Sequence, residues 1–229
     1  MGKRAKLILM RHGKSDWNQK NRFTGWVDVP LSRDGIIEAQ KAGRVIGHIA
    51  VDAIFTSSLM RAQMTAMIAM TEHRSGKTPV ISHRGEKRLE ERTKIYSPEA
   101  EEDTIPVYPS WEINERMYGK LQGFDKDETR ERFGADRVKI WRRSFDTPPP
   151  GGESLEMTAE RAVPYFRNTI APLVKGGKNV LVAAHGNSLR SIVMYLDDLS
   201  KEEVSNLEIP TGAPLCYAVE KGRWKREIL

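Results

Sequence analysis

The chain has 229 residues, an apolar fraction of 39% and five tryptophans, a composition ordinary for a globular protein with a sizeable core. No apolar run approaches the roughly 20 residues needed to cross a bilayer, and a lone cysteine, Cys216, excludes an internal disulfide and a thiolate-rich zinc site. The formal charge of +6 suits nucleic acid or small anionic substrates equally, but the basic residues are dispersed and carry no interleaved aromatic motif, which leaves nucleic acid the weaker alternative.

The basic start, Met1 to Lys6, is followed by only four apolar residues, too few for a signal-peptide core, so the expected compartment is the cytoplasm. That run, Leu7-Ile8-Leu9-Met10, stops at Arg11-His12-Gly13 and predicts a buried strand with its polar residues just past the carboxyl end. A loop from Ser15 to Val29 carries Asn18, Arg22, Thr24 and Gly25. Ser32 then caps a helix over 34–48 whose Ile36, Ile37, Ala39, Ala42, Val45, Ile46 and Ile49 predict a core-facing stripe. A second parallel strand is expected over 52–57, followed by a helix from about 59 with Arg61 in its first turn, where the amino terminus already favours anions. Met64, Met67 and Met70 on that helix read as flexible core filling.

Residues 72–109 mix many charges of both signs and predict a solvated surface excursion, with 80–82 its single strand. Glu115 and Arg116 fall in a loop before helices expected over 126–133 and 137–143, and Pro148-Pro149-Pro150-Gly151-Gly152 stops regular structure. A helix over 154–174 should kink at Pro164 and end near Pro172; Gly176-Gly177 turns into a second strand, Val180 to Ala184, which ends in His185-Gly186-Asn187. A helix over 187–196 and a final strand over 215–219, with Cys216 as a small core residue, complete the chain. The pattern predicts an α/β fold, a three-layer, mostly parallel sheet flanked by helices, in a single domain over 1–229.

A neutral imidazole can attack phosphorus, whereas arginine can only hold and neutralise oxygens. One histidine at a strand end is usually a partly buried residue without chemistry, but two matched strand-end His-Gly pairs, one preceded by arginine, point to phosphoryl transfer. There is no Gly-x-x-x-x-Gly-Lys-Ser/Thr loop and no Gly-x-Gly-x-x-Gly fingerprint, so a nucleotide cofactor has no support, and no carboxylate cluster argues for a metal.

Arg11-His12-Gly13 with Asn18, Arg22-Phe23-Thr24-Gly25-Trp26, Asn114-Glu115-Arg116-Met117-Tyr118-Gly119, Leu121-Gln122-Gly123, Trp141-Arg142-Arg143, Gly152-Glu153-Ser154 and His185 to Arg190 follow one another in an order that resembles the cofactor-dependent phosphoglycerate mutases. These belong to the histidine phosphatase superfamily, and the likeness covers nearly the whole chain. It implies a phosphoglycerate mutase-like fold and a glycolytic and gluconeogenic isomerase that interconverts 3-phosphoglycerate and 2-phosphoglycerate. In that scheme His12 is the nucleophile, carried as phosphohistidine and primed by 2,3-bisphosphoglycerate without a metal, Glu115 moves the hydroxyl proton and His185 stabilises the transferring group. Arg11, Asn18, Arg61, Gly186 and Asn187 hold that group, while Thr24, Gly25, Tyr118, Lys126, Arg142 and Arg143 contact the remainder of the substrate.

Many relatives carry Glu at Lys14 and His at Met117; Lys14 is expected to add positive charge beside the pocket. The short 148–152 loop bears on oligomeric contacts, and a homodimer or homotetramer both stay open. The expected partners are small phosphorylated substrates, with no nucleic acid and no membrane. Two rivals stand beside this reading: a phosphatase that hydrolyses the same phosphohistidine, and a basic non-catalytic binding module, which gives no reason for paired strand-end histidines.

Overall fold

A computed structural model describes residues 4–229; Met1, Gly2 and Lys3 of the basic start lie outside the described residues. The first half runs β1 (Lys6–Arg11), α1 (Asp16–Gln19), α2 (Arg33–Ile46), β2 (Ala53–Ser57), α3 (Met60–Thr71), β3 (Thr78–Ile81), α4 (Lys87–Arg92), α5 (Pro98–Glu102) and β4 (Thr104–Ser110). The second half runs α6 (Lys126–Phe133), α7 (Ala135–Arg143), α8 (Leu155–Tyr165), α9 (Ala171–Lys175), β5 (Val180–Ala184), α10 (Gly186–Asp197), α11 (Lys201–Asn206), β6 (Pro214–Glu220) and β7 (Arg223–Glu227).

The seven strands form one sheet in the order β3-β4-β2-β5-β1-β6-β7. The first five are parallel, and β6 and β7 add an antiparallel margin beyond β1. Leu7 and Leu9 of β1 pack on one face with α8 to α10, whereas Ile8 and Met10 pack on the other with α2 and α3. Burial on both faces is why β1 and β5 read as continuous apolar runs rather than alternating ones. Each fully buried Leu or Ile there contributes about 1.5–3 kcal/mol. That rigid centre presents the carboxyl ends of β1, β2 and β5 side by side.

Four expectations are corrected. The stripe on α2 is narrower than its spacing suggested: Gly35, Ala39, Ala42, Gly43 and Ile46 are buried, while Ile37 and Val45 are half exposed. Gly43 is needed because a Cβ there would lie 2.2 Å from the Ala69 carbonyl oxygen of α3, so the two helices touch through backbone. Residues 72–109 hold two strands, not one, and β4 is an interior strand between β3 and β2 with Ile105 and Val107 buried. Pro106 and Pro109 hid it, since proline inside a run argues against an interior strand.

Pro172 does not end its helix. After α8 the chain makes one wider π-type turn, Phe166–Ile170, and resumes as α9 with Pro172 in its first turn, where the missing N–H costs nothing. Finally, β6 is not the last strand: Lys221 and Gly222, both at positive φ, turn the chain back into β7.

Candidate active site

The local backbone is set by glycine. A Cβ on Gly13 would lie 2.3 Å from the Gly35 carbonyl oxygen, so the loop leaving β1 runs directly against the first turn of α2, and the Gly13 N–H donates to Thr65 Oγ1 at 3.1 Å. His12 is thereby held at the end of β1 with 2% exposure, and its ring centroid is 4.9 Å from that of fully buried His185 at the end of β5.

His12 Nδ1 lies 2.6 Å from the Gly13 carbonyl oxygen. A carbonyl only accepts, so Nδ1 carries the proton and Nε2 keeps its lone pair in the neutral ring. Burial, reinforced by the charges of Arg61 and Arg11, holds the ring well below the usual 6.5, against a weaker upward pull from the Gly13 carbonyl. His185 is lowered for the same reasons, burial first and Arg61 next. Both rings are therefore neutral at pH 7, as a nucleophile requires. His185 Nε2 pairs with Ser57 Oγ at 2.6 Å, and its Nδ1 is buried without a partner among the described residues.

Glu115 enters from the loop after β4 and is 9% exposed. Its Oε1 accepts from the Arg116 N–H at 2.8 Å and from the Asn187 backbone N–H and side-chain amide at 3.1 and 2.8 Å. Burial pushes this carboxyl up, but those hydrogen bonds and the Arg11 and Arg61 charges outweigh it, leaving it below the usual carboxylate range. Asn187 therefore commits its backbone N–H and one of its two amide hydrogens to Glu115.

Arg61, 1% exposed, donates to the carbonyls of Gly25 at 2.7 Å and Val27 at 3.0 Å, and burial lowers its pKa to about 10, so it stays charged. Arg11 donates to the Ile209 carbonyl at 2.7 Å. The Nε atoms of both arginines and Thr24 Oγ1 are buried without partners. Unpartnered buried polar atoms around a cavity are what an anionic ligand would complete.

The cavity holds about 140 Å³ and is lined by every residue expected from the sequence except His185, whose ring packs against that of His12. Asn18, Thr24, Gly25, Tyr118, Lys126, Arg142, Arg143, Gly186 and Asn187 all contribute to that lining. Seven cationic side chains line it against two carboxylates, Glu115 and Glu208. Lys126 and Arg142 are both lowered, by burial first and by neighbouring guanidinium groups as well, the signature of cations crowded without counterions. Lys14 is not among the lining residues, and its ammonium lies 3.8 Å from Asp34 on α2.

Four functional residues escaped the sequence reading. Ser57 orients His185, and its signal was that the strand expected over 52–57 also ends in polar residues, Thr56 and Ser57. Arg161 donates to the carbonyls of Glu112, Asn114 and Glu115 and forms a buried ion pair with Glu153 at 2.8 Å, clamping the Glu115 loop from α8. Arg22 and Arg190 line the cavity as well.

His12, Glu115 and His185 place ligand-type atoms within 4.8 Å of one another, a set that could hold a divalent cation. Here, however, Arg11 and Arg61 impose positive charge on all three, and Glu115 Oε1 already accepts three hydrogen bonds. The field suits an anion.

Paired strand-end histidines on a doubly wound sheet, with buried arginines beside them, define a class of protein suited to phosphoryl groups. The sequence model of the histidine phosphatase superfamily (branch 1) matches residues 7–93 and 87–228. The chain is 62% identical over 213 residues to the 2,3-bisphosphoglycerate-dependent phosphoglycerate mutase of Protochlamydia amoebophila, covering 93% of this chain and 94% of that one. It is 58% identical to the enzyme of the same name from Chlamydia caviae, covering 93% of each. Among solved structures, Bacillus stearothermophilus YhfR superposes with a TM-score of 0.75 at 22% identity, covering 98% of this chain and 96% of that one, which supports the fold. The chain belongs to the histidine phosphatase superfamily and, within it, to the 2,3-bisphosphoglycerate-dependent phosphoglycerate mutases.

Proposed function

We infer that this chain interconverts 3-phosphoglycerate and 2-phosphoglycerate through a phosphohistidine on His12. The observation that carries it is the further set of cations, Lys126, Arg142 and Arg143, that lines the same cavity as His12, Arg11 and Arg61. A phosphatase need hold only one phosphoryl group, whereas a mutase must keep a doubly phosphorylated three-carbon acid while it reorients and must exclude water meanwhile. The 62% identity to a curated mutase supports the same reading.

His12 Nε2 offers its lone pair to phosphorus, and the Nδ1–H bond to Gly13 fixes that tautomer. Glu115, ionised at rest, accepts the proton of the attacking substrate hydroxyl, and the protonated carboxyl returns it on the reverse transfer. Arg11, Arg61 and the unpartnered Nδ1 of His185 meet the charge spread over the transferring oxygens, the larger share of catalysis in such reactions. Asn18 and Gly186 complete that pocket, and Asn187 acts by holding Glu115. 2,3-Bisphosphoglycerate, when bound, supplies the phosphoryl group that loads His12; the orphaned Arg11 and Arg61 Nε atoms and the excess of cations fit it. No helix among the described residues is long and apolar enough to cross a membrane. The reading as a glycolytic and gluconeogenic enzyme points to the cytoplasm and to small phosphorylated substrates, and a homodimer or a homotetramer both stay open.

The test is the fate of labelled phosphohistidine at saturating phosphoglycerate. Transfer mainly to bisphosphoglycerate supports the mutase; release chiefly as inorganic phosphate overturns it and installs the phosphatase. Activity should also survive EDTA, and inhibition reversed by manganese would contradict the metal-free chemistry.

A further inference from the structure

Of the two carboxylates lining the cavity, Glu115 has its place beside the histidines and Glu208 has none. Glu208 follows α11 on a segment whose backbone is fixed by two arginines of the cavity lining. Arg190 donates to the carbonyls of Ser205 at 3.1 Å and Leu207 at 2.6 Å, and Arg11 donates to that of Ile209 at 2.7 Å. Ile209 is itself buried at 2% exposure. The Glu208 side chain, by contrast, is largely exposed, and its Oε1 lies 2.5 Å from Nη2 of Arg143, itself a partly exposed lining residue. A rigid base thus holds a movable acid against one of the cations that a ligand's outer anionic group would meet.

We propose that Glu208 is a specificity-determining gate residue: it occupies Arg143 in the empty pocket, must give it up to the outer anionic group of a doubly phosphorylated ligand, and so limits how tightly that ligand is retained. Glu208 then opposes the ligand twice, by competing for Arg143 and by repelling the incoming anion once displaced. A single phosphate seated between Arg11, Arg61 and His12 meets neither effect. The consequence is discrimination by the number and separation of charges, and faster release of a doubly charged ligand. This rests on the mutase reading for the identity of the outer group.

The experiment uses calorimetric binding in a His12→Asn background, where no phosphoryl group is transferred, with inorganic phosphate and 2,3-bisphosphoglycerate as probes. Adding Glu208→Gln should tighten bisphosphoglycerate about two- to fivefold at low salt, the range measured for half-exposed ion pairs, and leave inorganic phosphate unchanged. Because the groups are at the surface, the gain should vanish near 1 M salt, where the screening length is about 3 Å. With Arg143→Gln added, the gain should shrink. An unchanged bisphosphoglycerate affinity, an equal change for inorganic phosphate, or a gain indifferent to salt and to Arg143 would each overturn the gate. If bisphosphoglycerate binds the His12→Asn chain no tighter than inorganic phosphate does, the mutase reading fails and the gate with it.

Discussion

Two fully buried neutral histidines make the fold acid-sensitive by a calculable amount. His12 and His185 are held well below the usual 6.5 by burial and by Arg61, so in the unfolded chain both bind protons that the folded chain refuses. Since the unfolded state then carries more protons below about pH 6.5, stability falls as pH drops through that value, and the loss levels off only near the depressed folded pKa. From pH 7 to pH 5 each histidine costs up to about 2 kcal/mol, and the pair about 4 kcal/mol, a large fraction of the 5–15 kcal/mol typical of a domain. Urea denaturation of the wild type and of the His12→Asn/His185→Asn variant at pH 7 and pH 5 isolates this contribution, because carboxylates titrating in both chains cancel. The variant should lose less stability over that interval, by several kcal/mol. Equal losses in the two chains would refute the claim that the histidines are buried uncharged.

Three further outcomes follow from the site. After incubation with 2,3-bisphosphoglycerate, intact mass should show one acid-labile phosphoryl group that is absent from His12→Asn; label retained in the variant would remove His12 as nucleophile. Glu115→Gln should bind substrate but lose about a hundredfold or more in kcat, and a loss of only a few-fold would make Glu115 merely the anchor of Asn187 and Arg116. Gly25→Ala should cost about 1–3 kcal/mol beyond Gly76→Ala: both glycines sit at positive φ, but a Cβ at 25 would lie 2.9 Å from the Tyr118 backbone nitrogen, which cannot swing aside, while Gly76 faces open space. Chemical denaturation of the two variants compares them directly.

What could be read ahead of the coordinates follows a physical division. The buried centres of β1 and β5 coincide with their apolar runs, because a stretch covered on both faces by the core favours apolar side chains, and β1 leaves the core at Arg11. The helix starts at Ser32 and Ser154 were visible because each serine hydroxyl accepts a backbone N–H that the helix cannot satisfy. β7 was hidden because Arg-Trp-Lys-Arg-Glu at a sheet margin buries too little to look like a strand, and β4 because its prolines obey only the ladder they join. In the site, residue types were legible and partnerships were not. Nothing in the order of letters says that Asn187 turns to Glu115, that Lys14 turns to Asp34, or that Arg161 clamps a loop some 46 residues away.

Among the described residues, Arg11, Arg61, Arg116, Arg142 and Arg190 form no ion pair; where they hydrogen-bond to the protein it is to neutral groups, chiefly carbonyls. Carbonyls orient a guanidinium without cancelling its charge. Glu115 offsets part of the charge of Arg11 and Arg61, but the cavity holds more positive than negative charge, and an anionic ligand balances the remainder. Any phosphate that enters is a folding partner as much as a reactant: at a hundred times its dissociation constant it adds about 2.7 kcal/mol to the stability of the whole domain. In a cell, the standing pool of phosphorylated metabolites would set how long this chain persists as well as how fast it works.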